Sequence, residues 1–155
     1  MGQQQLLLVI LVTIIVGIAT VVAINIFGTA AEQANQDAIR QDLLTAATNA
    51  QGIWARPEMM GGVGGDFTND PPTDEQFAGR LGIPGSVSAA GVITNENGTY
   101  TVERAANTVT ITVVPNGSPG TWELEVDRIV ADGVWVVTIT DNDGQEFVID
   151  PRTPV

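Results

Sequence analysis

The sequence predicts an α+β protein in which a long N-terminal α-helix packs on a C-terminal antiparallel β-meander. Residues 2–55 carry an unbroken helical pattern, apolar first and then amphipathic, without a proline. Residues 56–90 form a glycine-rich stretch, and residues 91–155 alternate polar and apolar side chains between turn signals. We therefore expect a helix over 1–55, a connector over 56–90 and an antiparallel β domain over 91–155.

The apolar part of the helix spans residues 6–27, where every residue is apolar or small except Thr13, Thr20 and Asn25. As an α-helix this segment measures about 33 Å at a rise of about 1.5 Å per residue. A bilayer core is about 30 Å thick, so the segment predicts a transmembrane helix. Because the preceding tail is tiny and the following domain is bulky, we expect the tail inside and the domain outside.

A cleavable secretory signal is the alternative for this segment, with Gly28, Thr29 and Ala30 as the small residues at its end. Such signals carry a basic n-region and an apolar run of about 7–15 residues. No Lys or Arg precedes the run in this chain, and the run is longer. The sequence therefore favours a helix that is retained.

Residues 28–55 continue the helix in amphipathic form, with apolar residues every three or four positions, which predicts a narrow seam against the sheet. Pro57 ends the helix, because the residue before a proline avoids helical geometry. The whole helix measures about 80 Å, of which one membrane crossing needs only the first third. The seam residues are Ala30, Ala31, Ala34, Ala38, Ile39, Leu43, Ala46, Ala47, Ala50, Ile53 and Trp54.

The β domain is predicted to hold five or six strands in meander order. Over 108–114, threonines alternate with valine and isoleucine, which is typical of a strand with one buried face. Asn97-Gly98 and Asp132-Gly133 predict tight hairpin turns. The predicted strands are 92–94, 99–104, 108–114, 122–130, 134–140 and 146–149.

The connector contains the run GGVGG, which lacks the Lys-Ser/Thr ending of a phosphate-binding loop and predicts glycine turns. A short helix is expected over 73–81, since Asp74 and Glu75 suit its first turn. We expect the connector to pack on the sheet. Trp122 and Trp135 are expected at the helix–sheet interface or between subunits.

Charge is distributed unevenly along the chain. The 155 residues carry 18 acidic and six basic side chains, a net charge of −12, and all six basic residues are arginine. No charged side chain occurs before Glu32. Such a surface repels phosphate and anionic lipid headgroups, so we expect no nucleic-acid partner and a membrane attachment that is purely hydrophobic.

The order of these features carries a resemblance. The short polar head GQQQ is followed by a long Leu/Ile/Val helix with an Ala-rich amphipathic half, a glycine-rich connector and a C-terminal antiparallel sheet. In this the chain resembles type IV pilins and pilin-like filament subunits. The resemblance implies a homo-oligomeric helical filament outside the cell, the inner (cytoplasmic) membrane as the location before assembly, and the pilus assembly machinery as a partner. The acidic β domain would form the outer surface, available for adhesion.

The resemblance also implies leader processing after a glycine, for which Gly2 is the candidate, leaving Gln3 as the new N-terminus. The fifth mature residue in the family is often Glu. It is Leu7 when counted from Gln3, and Gln5 when counted from Met1. Our hypothesis is that the amides of Gln3, Gln4 and Gln5 set the register between neighbouring helices. The alternative is that they form a hydrated cap at the membrane face.

The filament hypothesis assigns subunit packing to the polar head and the apolar segment. Small residues allow helices to approach closely, and Gly17, Ala19, Ala23 and Gly28 supply them. The residues expected to pack between subunits are Gln3, Gln4, Gln5, Leu6, Leu7, Leu8, Ile10, Leu11, Ile14, Ile15, Gly17, Ile18, Val21, Val22, Ile24 and Phe27.

Catalytic and cofactor chemistry is not expected. The chain has no His, Lys or Cys, so no side chain is present that usually activates a serine. Asp141, Asp143 and Glu146 lack the spacing of an EF-hand loop, and a plain hairpin turn is the expected structure. The sequons at Asn97 and Asn116 are glycosylation candidates, with bare surface turns as the alternative.

A second function stays open at this point. A single-pass membrane anchor that carries an outward-facing binding domain has the same sequence features. A minor pilin-like component of a secretion system is a further variant of that alternative.

Overall fold

The computed structural model describes residues 2–153. The chain forms helix α1 (Gly2–Ala55), a 3-10 turn (Glu58–Met60), helix α2 (Asp74–Arg80) and a seven-stranded antiparallel sheet in sequential order. The predicted α+β class, a long N-terminal helix and an antiparallel meander, is confirmed. The chain divides into two compact units, 1–35 and 36–155.

The described residues of the first unit are all helical, and nearly all are exposed. Ala30, Ala31 and Ala34, which were predicted to begin the buried seam, are exposed because nothing in this unit covers them. The predicted seam is therefore buried only further along the chain, in the second unit.

In the second unit, the C-terminal part of α1 packs on the sheet. Its buried residues recur at intervals of three or four, which places them on one face of the helix. Half of them are alanines. The helix ends at Ala55, directly before Arg56 and Pro57, as predicted. The buried residues are Ile39, Leu43, Ala46, Ala47, Ala50 and Ile53.

The sheet has one more strand than the largest predicted number. The additional strand, β1, has only two residues and exists because Ser86 and Val87 pair with Thr94 and Ile93. In β4 the alternation is as predicted up to Val113, with valine and isoleucine buried and threonine partly exposed, whereas Val114 is exposed. The strands are β1 (Ser86–Val87), β2 (Val92–Thr94), β3 (Gly98–Arg104), β4 (Thr108–Pro115), β5 (Trp122–Ile129), β6 (Val134–Thr140) and β7 (Glu146–Ile149).

The hairpin between β2 and β3 differs from the predicted Asn97-Gly98 turn. Gly98 belongs to β3 and pairs with Pro115, so the turn consists of residues 95–97. The side-chain oxygen of Asn95 accepts hydrogen bonds from the backbone N–H groups of Asn97 and Gly98 at 2.9 and 3.0 Å. A Cβ on Gly98 would lie 2.6 Å from the Val114 carbonyl oxygen, so glycine is required here by close strand approach rather than by turn geometry.

The connector completes the core, as predicted. It buries Val63, Phe67, Phe77 and Leu81, and the rings of Phe67 and Phe77 meet edge to face with their centroids 5.8 Å apart. The predicted short helix is α2, whose N-cap Thr73 accepts a hydrogen bond from the Gln76 backbone N–H.

The two tryptophans lie at the helix–sheet interface, which was one of the two predicted positions. Trp122 is buried in β5, and the Arg40 guanidinium of α1 lies 5.3 Å from the centre of its ring. Trp135 of β6 packs edge to face on Trp54 of α1, with ring centroids 5.4 Å apart.

Candidate functional site

The candidate site is the apolar surface of residues 6–27, within the first unit. Sixteen large apolar side chains of this segment are exposed, each by about half or more of its surface. Among the helices in 2–153, α1 alone is long and apolar enough to cross a membrane, and none of its apolar window is buried. The sequence adds that no charged side chain precedes Glu32.

The threonines of this segment do not break its apolar character. The Thr13 hydroxyl donates to the Val9 carbonyl oxygen at 2.7 Å, and the Thr20 hydroxyl donates to that of Val16 at 2.8 Å. Each hydroxyl is thus satisfied by the preceding turn of its own helix. A helix surface with its polar groups satisfied internally is suited to lipid or to the interior of an assembly.

Gly17, inside this segment, and Gly28, directly after it, pack against no side chain of the described residues. A Cβ on Gly17 or Gly28 would meet no atom within 4 Å, and neither residue has a positive φ. Each glycine costs the helix about 1 kcal/mol relative to alanine. Neither local packing nor backbone conformation accounts for that cost, whereas close approach by another helix would.

All sixteen residues that were predicted to pack between subunits are helical and exposed, and they lie in one continuous stretch of α1. The prediction omitted Val9, Val12, Val16 and Ile26, which are exposed to the same degree. The sequence could have indicated these four residues by their apolar character alone, because no face of the segment is covered. One shallow notch on this surface, with a volume of about 510 Å³, is lined by Ile15, Ile18, Ala19, Val22, Ala23 and Ile26.

The polar head lies in the first turn of α1. Gly2 and Gln3, the predicted cleavage position, and the neighbouring Gln4 and Gln5 are all helical and exposed. Met1, which processing after Gly2 would also remove, lies outside the described residues. The processing and the proposed amide contacts between helices stay predictions.

Charge is concentrated in the second unit, where several arginines hold specific positions. Arg104 pairs with Asp74 and lies 5.2 Å from the centre of the Phe77 ring. Arg152 pairs with Asp150 at 2.8 Å, and its hydrogen bonds hold the pKa of that carboxyl below its usual range. Stacking and bidentate pairing use the planar guanidinium, for which a lysine is no substitute.

The other predicted site residues serve the turns of the β domain. The Asp141 carboxylate accepts hydrogen bonds from the backbone N–H groups of Asp143 and Gln145, which is the geometry of the expected hairpin turn. Within 2–153, no group of three acidic residues is arranged to hold a metal ion. The Asn97 amide donates to Asp42 at 3.3 Å, and the Asn116 amide donates to the Asn95 carbonyl oxygen at 3.1 Å. Glycosylation at either asparagine stays a prediction.

An antiparallel sheet that packs on the second half of a long N-terminal helix, whose first half is apolar, is compatible with a pilin-like architecture. No protein-family model, no curated protein and no solved structure matches the chain.

Proposed function

We propose that this protein is the structural subunit of an extracellular filament. Residues 6–27 form the helical core of the filament, and the acidic β domain forms its outer wall, where it is available for adhesion. The observation that carries the proposal is the uncharged apolar surface of α1, of which nothing is buried, together with Gly17 and Gly28, where a Cβ would meet no atom of the described residues within 4 Å.

The exposed apolar surface is too large to stay in contact with water. Burying one large apolar side chain is worth about 1.5–3 kcal/mol, so sixteen of them represent on the order of 30 kcal/mol. A whole domain is stable by only about 5–15 kcal/mol. The segment therefore needs either lipid or other protein around it, and in our proposal it has lipid before assembly and copies of itself afterwards.

Two features favour copies of the chain over lipid as the final surroundings. Glycine at positions 17 and 28 gives no advantage to a helix surrounded by lipid. In a contact between helices, it lets the two backbones approach closely. The α-helix also continues through Ala30, Ala31 and Ala34, a second set of small exposed residues beyond the length that one bilayer crossing requires. The contacts are heterologous, so the assembly grows as an open helix.

The alternative function is a single-pass membrane anchor for an outward-facing binding domain, or a minor pilin-like component of a secretion system. It is favoured by the finding that α1 is long and apolar enough to cross a bilayer. Under this alternative the chain stays in the membrane as a monomer. No catalytic activity and no cofactor are proposed in either case.

Shearing of cells that produce the full chain separates the two functions. The sheared fraction is examined by negative-stain electron microscopy and by mass spectrometry of its protein. Filaments composed mainly of this chain support the first function. Intact chain that is found only in the membrane fraction, and that is monomeric in detergent, rejects it.

A further inference from the structure

The sheet extends beyond the elements that cover it. In the described chain β7 pairs only with β6, and the register places Phe147 opposite Ile139 and Ile149 opposite Val137. Directly opposite residues share a face of the sheet, so Phe147 and Ile149 lie on the face where Ile139 and Val137 are buried. Phe147 is nevertheless 59% exposed and Ile149 is 45% exposed.

The uncovered strand forms one side of a groove within the second unit. The groove has a volume of about 420 Å³, and its apolar walls are Leu44 of α1, Trp122 of β5, Ile139 of β6 and Phe147 of β7. An apolar groove of this kind accepts flexible hydrophobic side chains.

The rim of the groove is mainly acidic. Asp141 and Glu146 contribute two carboxylates, against the single cation of Arg40, which is itself paired with Asp37 at 3.8 Å. The Asp141 carboxylate is already used by the turn, which leaves Glu146 to receive a cation from an occupant. The chemistry therefore favours an occupant with apolar side chains and a basic residue beside them.

The same chain carries such a feature on the 3-10 turn Glu58–Met60. Met59 is 100% exposed and Met60 is 73% exposed, although both are large apolar side chains. The turn is well held, because the Gly61 N–H donates to the Glu58 carbonyl oxygen at 2.9 Å and Arg80 donates to the Gly61 carbonyl oxygen. Exposed Arg56 precedes it by two residues.

We propose that the Met59–Met60 turn of a second copy of this chain occupies the groove, with its Arg56 directed to Glu146. Methionine adapts its shape to irregular apolar gaps and packs well on aromatic rings such as Phe147 and Trp122. Opposite charges at the rim orient two chains that otherwise repel each other at a net charge of −12. This inference rests on the proposed filament function and names a contact within the outer wall.

The positions of the two surfaces give the contact a direction. The groove includes Leu44, whereas the turn follows the end of α1 at Ala55, about 16 Å further along the helix axis at about 1.5 Å per residue. A copy that inserts its turn into the groove of a neighbour is therefore shifted along the axis. Since groove and turn are different surfaces, each added copy leaves one of each free, and the assembly does not close.

Cysteine cross-linking in the full chain tests the contact, because the natural sequence has no cysteine. The double variant Met60→Cys with Phe147→Cys is oxidised in cells and analysed without reductant. We expect a ladder of dimers, trimers and longer species that collapses on reduction. Met60→Cys with Val130→Cys is the matched control, since Val130 is an apolar residue that is even more exposed than Phe147, at 69%, and is expected to give no ladder.

Charge reversal in the same cysteine background tests the orientation. Arg56→Glu or Glu146→Arg alone is expected to reduce the ladder about tenfold, and the two together are expected to restore it. A missing ladder, or a cross-link of Phe147→Cys only to a different protein, overturns the docking of a second copy. Filaments in the sheared fraction of that same sample would then leave the proposed function intact, whereas their absence would reject both.

Discussion

The hydroxyl of Tyr100 donates a hydrogen bond of 2.8 Å to the carboxylate of Asp42 and thereby joins β3 to α1. Tyr100 is fully buried, and the same carboxylate oxygen also accepts from the Asn97 amide. Burial, followed by the hydrogen bond and the charge of Asp42, raises the pKa of Tyr100 far above its ordinary value. The helix is thus fixed to the sheet by a polar contact that requires a protonated phenol.

This contact predicts how the stability of the β domain depends on alkaline pH. The folded-state pKa of Tyr100 is raised, so its contribution is fully present below the unfolded pKa of about 10 and is lost as pH rises from there towards the folded pKa. We expect the free energy of unfolding to fall by about 1.4 kcal/mol per pH unit above pH 10. Denaturant unfolding followed by tryptophan fluorescence measures it.

The composition makes it possible to assign this pH dependence to one residue. Tyr100 is the single tyrosine, and the chain has no lysine or cysteine that would titrate in the same range. Tyr100→Phe is expected to be less stable at neutral pH by about 1 kcal/mol, through loss of one hydrogen bond. The variant should also lose the decline between pH 10 and 11. A decline of unchanged slope in Tyr100→Phe would show that another group controls alkaline stability.

Arg128 provides a test of whether stacking on tryptophan requires arginine rather than lysine. Its guanidinium lies 5.1 Å from the ring centre of Trp54 and 5.3 Å from that of Trp135, and it donates to the Gly133 carbonyl oxygen. Arg128→Lys keeps the charge but loses the planar stacking, and we expect it to destabilise the domain by about 1 kcal/mol. Thermal unfolding measures the change.

The matched control for this substitution is Arg56→Lys. Arg56 is exposed and lies directly before Pro57. Its stability is expected to stay within about 0.5 kcal/mol of the natural chain, as for most surface changes. Equal effects at the two positions would mean that arginine stacking on tryptophan contributes nothing measurable.

Much of the fold follows from local patterns in the sequence. Pro57 sets the end of α1, and the alternation over Val134–Thr140 defines β6 with the predicted bounds. By contrast, β1 has two residues and no periodicity of its own, so it appears only through its pairing with β2. The Asn97-Gly98 dipeptide has the composition of a tight turn, but strand register places Gly98 in β3 instead.

The apolar candidate site and the groove beside β7 were predictable to different extents. The apolar segment is evident from composition, since a helix that is apolar on every face needs cover on all sides, from lipid or from protein. The groove beside Phe147 was not predictable, because the short apolar run over 147–149 indicates a strand but does not say how far the covering helix extends. Exposure of Met59 and Met60 likewise depends on which side of the connector packs on the core.

Gly17 is the position where packing between helices is most directly tested. A Cβ there meets nothing within the chain, so Gly17→Leu leaves the β domain unchanged. Overpacking a tight helix contact costs about 1–3 kcal/mol, and we expect about a tenfold or greater loss of sheared filaments. Filament yield is measured by quantitative electron microscopy and mass spectrometry.

Gly52→Leu is the matched control, because a Cβ at Gly52 also meets nothing within 4 Å and the same helix receives the same change in propensity. This variant is expected to form filaments at the natural level. If Gly17→Leu also yields filaments at that level, then residue 17 is not at a tight contact between helices.

Removal of the first 28 residues tests whether the apolar segment is needed for assembly but not for folding of the second unit. Within the described chain every buried apolar side chain lies between Ile39 and Ile139, so a chain that starts at Thr29 keeps the whole core. We expect its free energy of unfolding to lie within about 0.5 kcal/mol of that of the full chain, as for changes away from the core. We also expect it to be monomeric by sedimentation and to form no filaments, because the surface that requires cover has been removed. Filaments from this shortened chain would place the principal assembly contacts in the β domain, whereas a chain that fails to fold would mean that the apolar segment is needed for folding as well as for assembly.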